Sequence, residues 1–256
     1  MMLLRSVSKH VKDQNWFAVF VDFLIVVVGV FIGIQVANWN ENRAQNEQAD
    51  GYMVQLADDI RSDLTDINTG YRTSQWRLAA LTELLDMAGI PTPDKSHLLE
   101  RDLTIQRPAL INDSITYLMN ASTYTRFLDN NHPSYLSLVN TGNATLIGKL
   151  KPWPCIQSYY AQYQEVLLFE ERLLLFRSEM VRTLHDAGLS ITGHVTESET
   201  LDRIRSHDSL SASMSSNRLF VYYHMLVLED LGKRANLLLK ALENNSGNCD
   251  FEEGSL

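Results

Sequence analysis

The 256 residues carry 22 Lys and Arg against 31 Asp and Glu, a formal net charge of −9, with the acidic residues spread along the chain. That balance excludes nucleic acid as a partner, because phosphate binding needs clustered Lys and Arg. Glycine (12) and proline (6) are scarce, so the composition leans helical, and the two cysteines, Cys155 and Cys249, lack the CxxC spacing of a structural zinc site.

In the first 15 residues, Leu3, Leu4, Val7 and Val11 recur at helical spacing with Arg5, Lys9 and Lys12 between them. This predicts a short interfacial helix on the cytoplasmic leaflet. The chain then changes character. From Trp16 to Ala37 the only charged residue is Asp22, and Phe23 to Ile34 has no polar side chain. At ~1.5 Å per residue, Trp16 to Trp39 covers roughly 35 Å. That matches a hydrocarbon core of about 30 Å with Trp16 and Trp39 as interface anchors, so residues 16–38 are expected to form a transmembrane helix. The run is longer than the apolar stretch of a cleaved signal peptide. It leads into Gln35-Val36-Ala37-Asn38-Trp39, a poor cleavage site, and reads as an uncleaved signal anchor. Basic residues dominate before the span, whereas Glu41, Arg43, Glu47 and Asp50 follow it. The positive-inside bias puts residues 1–15 in the cytoplasm and 39–256 in the periplasm.

Within the span, Ala18, Asp22, Gly29, Gly33 and Ala37 fall on one stripe at ~100° per residue. Phe20, Leu24 and Phe31 occupy the opposite, lipid-facing side. Small residues four apart let two helices approach closely, and a charge facing lipid costs at least ~2.5 kcal/mol. The stripe predicts a packing seam for self-association or for a partner helix. Asp22 has three readings: it reaches the cytoplasmic interface or pairs with Lys9 or Lys12 of a neighbouring chain, it handles a proton or ion, or it stays neutral in a hydrogen bond inside an oligomer.

Beyond the span, Met53, Leu56, Ile60, Leu64 and Ile67, then Leu78, Leu81, Leu84 and Leu85, repeat at three and four. They predict a long amphipathic helix over about 44–88, either continuous with the span or following it, and ending near Gly89. Short helices are expected through 96–150, one of them near 112–130, broken at "DNNHPS" and "NTGN". A helix over about 154–187 follows, whose apolar clusters recur every seven residues and predict a wide buried stripe. It ends at Gly188. After a short helix in "ESETLDRIRSHD", a second long helix covers about 211–245. The two long helices match in length at ~47 and ~51 Å. An antiparallel hairpin of them puts Cys155 beside Cys249, and outside the cytoplasm such thiols are expected to form a disulfide.

Catalytic patterns are absent. There is no G-x-S-x-G, H-E-x-x-H, P-loop or G-x-G-x-x-G. Glu165, Glu170 and Glu171 lie on one long helix, with His224, Glu229 and Asp230 on the next, but not as the Glu-x-x-His pairs of a di-metal bundle. His224, in an apolar run, reads as a satisfied core histidine. His185, His194 and His207 gather near the loop between the two helices with spacing that does not suit a metal. Tyr159, Tyr160, Tyr163, Tyr222 and Tyr223 read as packing at one end of the hairpin, with a ligand pocket as the alternative. No enzyme activity, metal or cofactor is expected.

The segment "VDFLIVVVGVFIGIQVANWNENR" resembles the N-terminal stretch of an uncharacterised bacterial family. Those proteins have one span with an acidic residue near its start, then small residues, then Gln-x-x-Asn-Trp-Asn-Glu. Here the matching positions are Asp22, Gly29, Gly33, Gln35, Asn38, Trp39, Asn40 and Glu41, with aspartate where the family usually has glutamate. A second block, "SYLSLVNTGNATLIG" (134–148), is similar to a Ser-Gly turn followed by Leu-x-Leu-Ile. The resemblance implies a bacterial inner-membrane protein of unknown function and supplies no catalytic residues. The expectation is an all-α, single-span protein with an extracytoplasmic helical bundle. It contacts the bilayer and a second copy or partner helix, and acts as a non-enzymatic interaction, scaffold or assembly component of the cell envelope. The rivals are an ion-conducting, stator-like subunit using Asp22 and a periplasmic ligand sensor. The sensor fits less well because only ~15 residues precede the span.

Overall fold

The computed structural model describes residues 16–91, 114–142, 144–191 and 195–249. The expected interfacial helix at residues 3–12 and His194 lie outside the described residues. Regular structure among the described residues is entirely helical: α1 (Trp16–Met87), α2 (Ile115–Thr123), α3 (Pro133–Thr141), α4 (Ala144–Ile147), α5 (Trp153–Asp186), α6 (Glu197–Ser206) and α7 (Asp208–Glu243). The chain divides into two compact units, Met1–Gly51 and Tyr52–Leu256. The expected helix over about 44–88 is not separate from the span. It is the second part of α1.

In the first unit, α1 is long and apolar enough to cross a membrane, and none of its most apolar window is buried. Beyond the apolar run its surface turns polar. Arg43 pairs with Glu47 at 2.9 Å and Gln45 donates to Glu41 at 3.2 Å, both one turn apart on exposed surface. Such pairs add only a few tenths of a kcal/mol each.

In the second unit, the helix ends follow directly from residue type. α1 stops in a Schellman turn, with Gly89 at φ +74°. The Ile90 N–H reaches Leu85 O and the Gly89 N–H reaches Asp86 O, each at 2.9 Å. α5 ends in the same way at Gly188 (φ +70°), and α7 does so with Asn245, whose short polar side chain tolerates φ 44°. α6 starts on Thr196, whose side chain accepts from the Glu199 N–H. Its first turn holds Glu197 and Glu199 and its last Arg203 and Arg205, which complements the helix dipole. The short helix expected near 112–130 is α2, which closes at Thr123, and residues 124–132 run without helix to His132. There Pro133, at the first turn of α3, needs no helical N–H partner.

The core of this unit lies among α1, α2, α5, α6 and α7. It includes Leu78, Leu81, Leu84, Leu85, Leu118, Leu173, Met180, Leu184, Ile204, Met214 and Val221. On α5, Tyr159, Val166, Leu173 and Met180 are buried at strict seven-residue spacing, while Leu168 and Leu175 are 57% and 70% exposed. Ile156, Tyr160, Tyr163, Glu170 and Leu184 are buried beside them, so the buried stripe is wide, with Leu168 and Leu175 outside it. α7 comes close to α1 at two glycines. A Cβ on Gly70 would stand 3.3 Å from Leu228 Cδ1, and one on Gly232 would stand 3.5 Å from Ile67 Cγ2. Contacts between α5 and α7 fall at Thr183 with Ser213, Phe176 with Asn217, and Glu170 with His224.

Cys155, in the first turn of α5, and Cys249, beyond the end of α7, hold their sulfurs at disulfide-bonding distance, with Cα atoms 5.8 Å apart. They are 94 residues apart in sequence, so a bond would restrict the unfolded chain by about 2–5 kcal/mol. The Cys155→Ser variant, or wild type held in dithiothreitol, is expected to lose that much stability in urea unfolding. Non-reducing peptide mapping of wild type is expected to recover the two cysteines on one cross-linked species.

Candidate functional site

The helical unit contains a column of buried polar side chains that bridges α1, α2, α5 and α7. Asp63, Ser74 and Arg77 lie along one stripe of α1 and are 3%, 6% and 2% exposed. Each needs a partner from another element, because an unpaired buried polar group costs ~1–3 kcal/mol or more.

Ser74 meets His224 of α7 (Oγ to Nδ1, 2.9 Å), and His224 Nε2 meets Glu170 Oε1 of α5 at 2.8 Å. The Leu128 N–H donates to the same carboxylate, at 3.0 Å to Oε2. A neutral imidazole protonated on Nε2 satisfies the set: it donates to Glu170 and accepts from the Ser74 hydroxyl. Serine, imidazole and carboxylate are thus in line, the arrangement that activates a nucleophile in hydrolases. Burial removes that use. Ser74 does not line the large cavity next to it, although its neighbour Thr73 does. His224 is the satisfied core histidine expected from its apolar surroundings.

Asp63 anchors the second group. Tyr159 donates its hydroxyl to Asp63 Oδ2 at 2.9 Å, and Tyr163 donates to Asp129 O at 2.8 Å. The buried His132 ring stands edge-on to Tyr160 and Tyr163, with Nδ1 3.4 Å from Asp63 Oδ1. Tyr135 stacks on Tyr160 with ring centroids 3.9 Å apart. Burial, then the Asp63 charge, hold the hydroxyls of Tyr159, Tyr160 and Tyr163 far above the ordinary tyrosine pKa. Tyr222 and Tyr223 do not join them. They are half-buried and contact each other, with Tyr223 edge-on to Phe220. The expected five-tyrosine end of the hairpin is two separate groups, since positions so far apart on α5 and α7 meet different neighbours.

Arg77 forms the third group. It donates through Nε to Ser122 O at 2.9 Å and through Nη2 to Asn217 Oδ1 at 2.6 Å, while Asn217 donates to Phe176 O at 2.7 Å. Burial, and then the neighbouring charge of Arg177, pull Arg77 down to about 9, so it remains cationic at neutral pH. Arg177 donates through Nε to Thr123 O at 2.6 Å and lines a cavity of about 500 Å³, together with Thr73, Trp76, Tyr117, Ala121 and Tyr124 among others. This cavity is the most site-like feature of the unit.

The residues expected from sequence divide clearly. Cys155 and Cys249 are brought together. Asp22, Gly29, Gly33, Ala37 and Trp39 are exposed, and a Cβ on either glycine would have nothing within 4 Å. The side chains of Trp16 and Ala18 lie outside those described. His185 is exposed, whereas His207 lies between α6 and α7 with Nδ1 3.0 Å from Arg203 O. Sequence reading missed Asp63, Ser74, Arg77, Arg177 and Asn217. One signal for Arg77 was available: it falls in register with the apolar stripe of Leu78, Leu81, Leu84 and Leu85, where a charge has to be explained.

The sequence profile of a family of unknown function (DUF6090) matches residues 22–174, more than half of the chain. No curated protein and no solved structure matches.

Two outcomes follow from the column. Glu170→Ala leaves the Leu128 N–H and the His224 N–H unpaired in the core, and is expected to cost ~2–5 kcal/mol in urea unfolding, with Glu170→Gln costing less. The second concerns alkali. Tyr159, Tyr160 and Tyr163 keep their protons in the folded state well above the unfolded-chain pKa near 10. Their contribution to stability is whole below about pH 10 and is lost as pH rises beyond it. In an absorbance titration at tyrosinate wavelengths, three of the 10 tyrosines are expected to ionise only together with the loss of helical circular dichroism.

Proposed function

We propose that this chain, which belongs to the DUF6090 family of unknown function, is a single-span membrane protein that associates through its span and serves as a non-enzymatic interaction or assembly component of the bacterial envelope. The observation that carries this reading is the surface of α1. Between Phe20 and Ile34, eleven large apolar side chains are exposed, Phe23 and Phe31 by more than 60%. Leaving them in water would forfeit on the order of 20 kcal/mol, whereas lipid covers them. A soluble unit beyond the span, with two long helices whose contacts run in opposite order as an antiparallel hairpin and a cysteine pair at disulfide-bonding distance, suits an oxidising compartment. That supports an extracytoplasmic placement.

The stripe of Ala18, Asp22, Gly29, Gly33 and Ala37 supplies the association surface. Glycine at positions 29 and 33 would let the backbone of a second copy approach closely, and the seam would shelter Asp22 from lipid. In sedimentation of detergent-solubilised protein, wild type is expected to be oligomeric. Gly29→Leu/Gly33→Leu is expected to raise the dissociation constant at least ~10-fold, about 1.4 kcal/mol. A strictly monomeric wild type would remove the seam. Protease added to spheroplasts is expected to digest residues beyond the span, and full protection there would reverse the orientation.

A further inference from the structure

The cavity lined by residues of α1, α2 and α5 lies in the helical unit, and what it binds is independent of the proposed role of the span. Its volume of about 500 Å³ is within the range of small-molecule sites. Trp76, Tyr117 and Tyr124 give it flat apolar walls, and Arg177 is the one charged residue among the described lining. Arg177 spends its Nε on Thr123 O. Arg77, one turn along α1 from Thr73, spends Nε on Ser122 O, next to the lining residue Thr123, and Nη2 on Asn217. Its Nη1 has no hydrogen-bond partner among the described residues.

Arg61, Arg126, Arg182, Arg203, Arg205 and Arg234 each lie against a carboxylate, and Arg72 lies over the Trp76 ring. Arg77 and Arg177 lie close enough to repel each other and have no carboxylate partner among the described residues, in a chain of net charge −9. Buried cations without a counter-charge are costly, and an arginine edge presents paired donors that match a carboxylate.

We propose that this cavity binds a small organic carboxylate with a flat apolar body. The carboxylate sits on the free guanidinium edge of Arg177, and the apolar body lies against Trp76, Tyr117 and Tyr124. Arg77, behind the wall, adds positive potential and holds the α2 terminus through Ser122 O. It positions the site and does not touch the ligand.

The test is titration calorimetry of the full chain in zwitterionic nanodiscs, with 2-naphthoate and its neutral analogue 2-naphthamide as probes. Naphthoate is expected to bind one per chain, at least about tenfold more tightly than the amide. Arg177→Gln should weaken naphthoate at least about tenfold and leave the amide unchanged. Ala121→Leu, which fills the cavity without altering charge, should abolish binding of both probes at an unchanged urea midpoint, so that loss of binding is separated from loss of fold. Equal binding of the two probes, naphthoate affinity indifferent to both substitutions, or no naphthoate heat up to about 10 mM would each overturn the proposal.

Discussion

A polar side chain buried between helices must find its partner on a neighbour, and α1 carries Asp63, Ser74 and Arg77 on a single buried stripe. The fold of the helical unit depends on meeting those requirements together. Ser74 is satisfied only if His224 of α7 faces it, and His224 only if Glu170 of α5 faces α7. Arg77 requires Asn217 on α7 and the end of α2, while Asn217 requires the Phe176 carbonyl on α5. Sliding α5 against α7 by one turn would break several of these bonds at once. An apolar interface of leucines would tolerate such a slip far better, so the polar column sets the register and the leucines supply most of the burial. Gly70 keeps α7 close to α1, since a Cβ there would stand 3.3 Å from Leu228 Cδ1.

Access to a surface decides what such a column can do. Ser74, His224 and Glu170 have the order and the distances of a nucleophile, a base and an orienting acid, yet all three are sealed. Buried in this way, the three side chains form a hydrogen-bond chain that ties α1, α5 and α7 together. The tyrosine group around Asp63 is equally closed, with its hydroxyls committed to protons far into alkali. The third group differs because Arg177 reaches a cavity with aromatic walls and is the one charged residue among its described lining.

The first unit obeys a different balance. There the backbone is satisfied within α1, and the side chains face outward with no protein to cover them. In water this surface would be a severe liability, whereas in lipid it is the stable arrangement. Small residues and one carboxylate on a single stripe give that surface a direction, which is the basis of the proposed association.

The helical class, the apolar span and the ends of the three long helices were legible in the sequence, because they depend on local chemistry. Gly89, Gly188 and Asn245 each take a left-handed conformation that ends a helix wherever it occurs. Matched helix lengths were also enough to bring Cys155 to Cys249. The exposure of Leu168 and Leu175 on α5 was not legible, since they have the same chemistry as the leucines that are buried. Nor were the partners of Asp63, Ser74 and Arg77, which lie tens to well over a hundred residues away. Residue types and their periodicity determined what each helix is and which side is apolar. Which buried polar atoms meet, and that Arg177 faces a cavity while Arg77 is held behind its wall, was decided only when the helices packed, because a hydrogen bond depends on distance and angle between groups that the chain order leaves far apart.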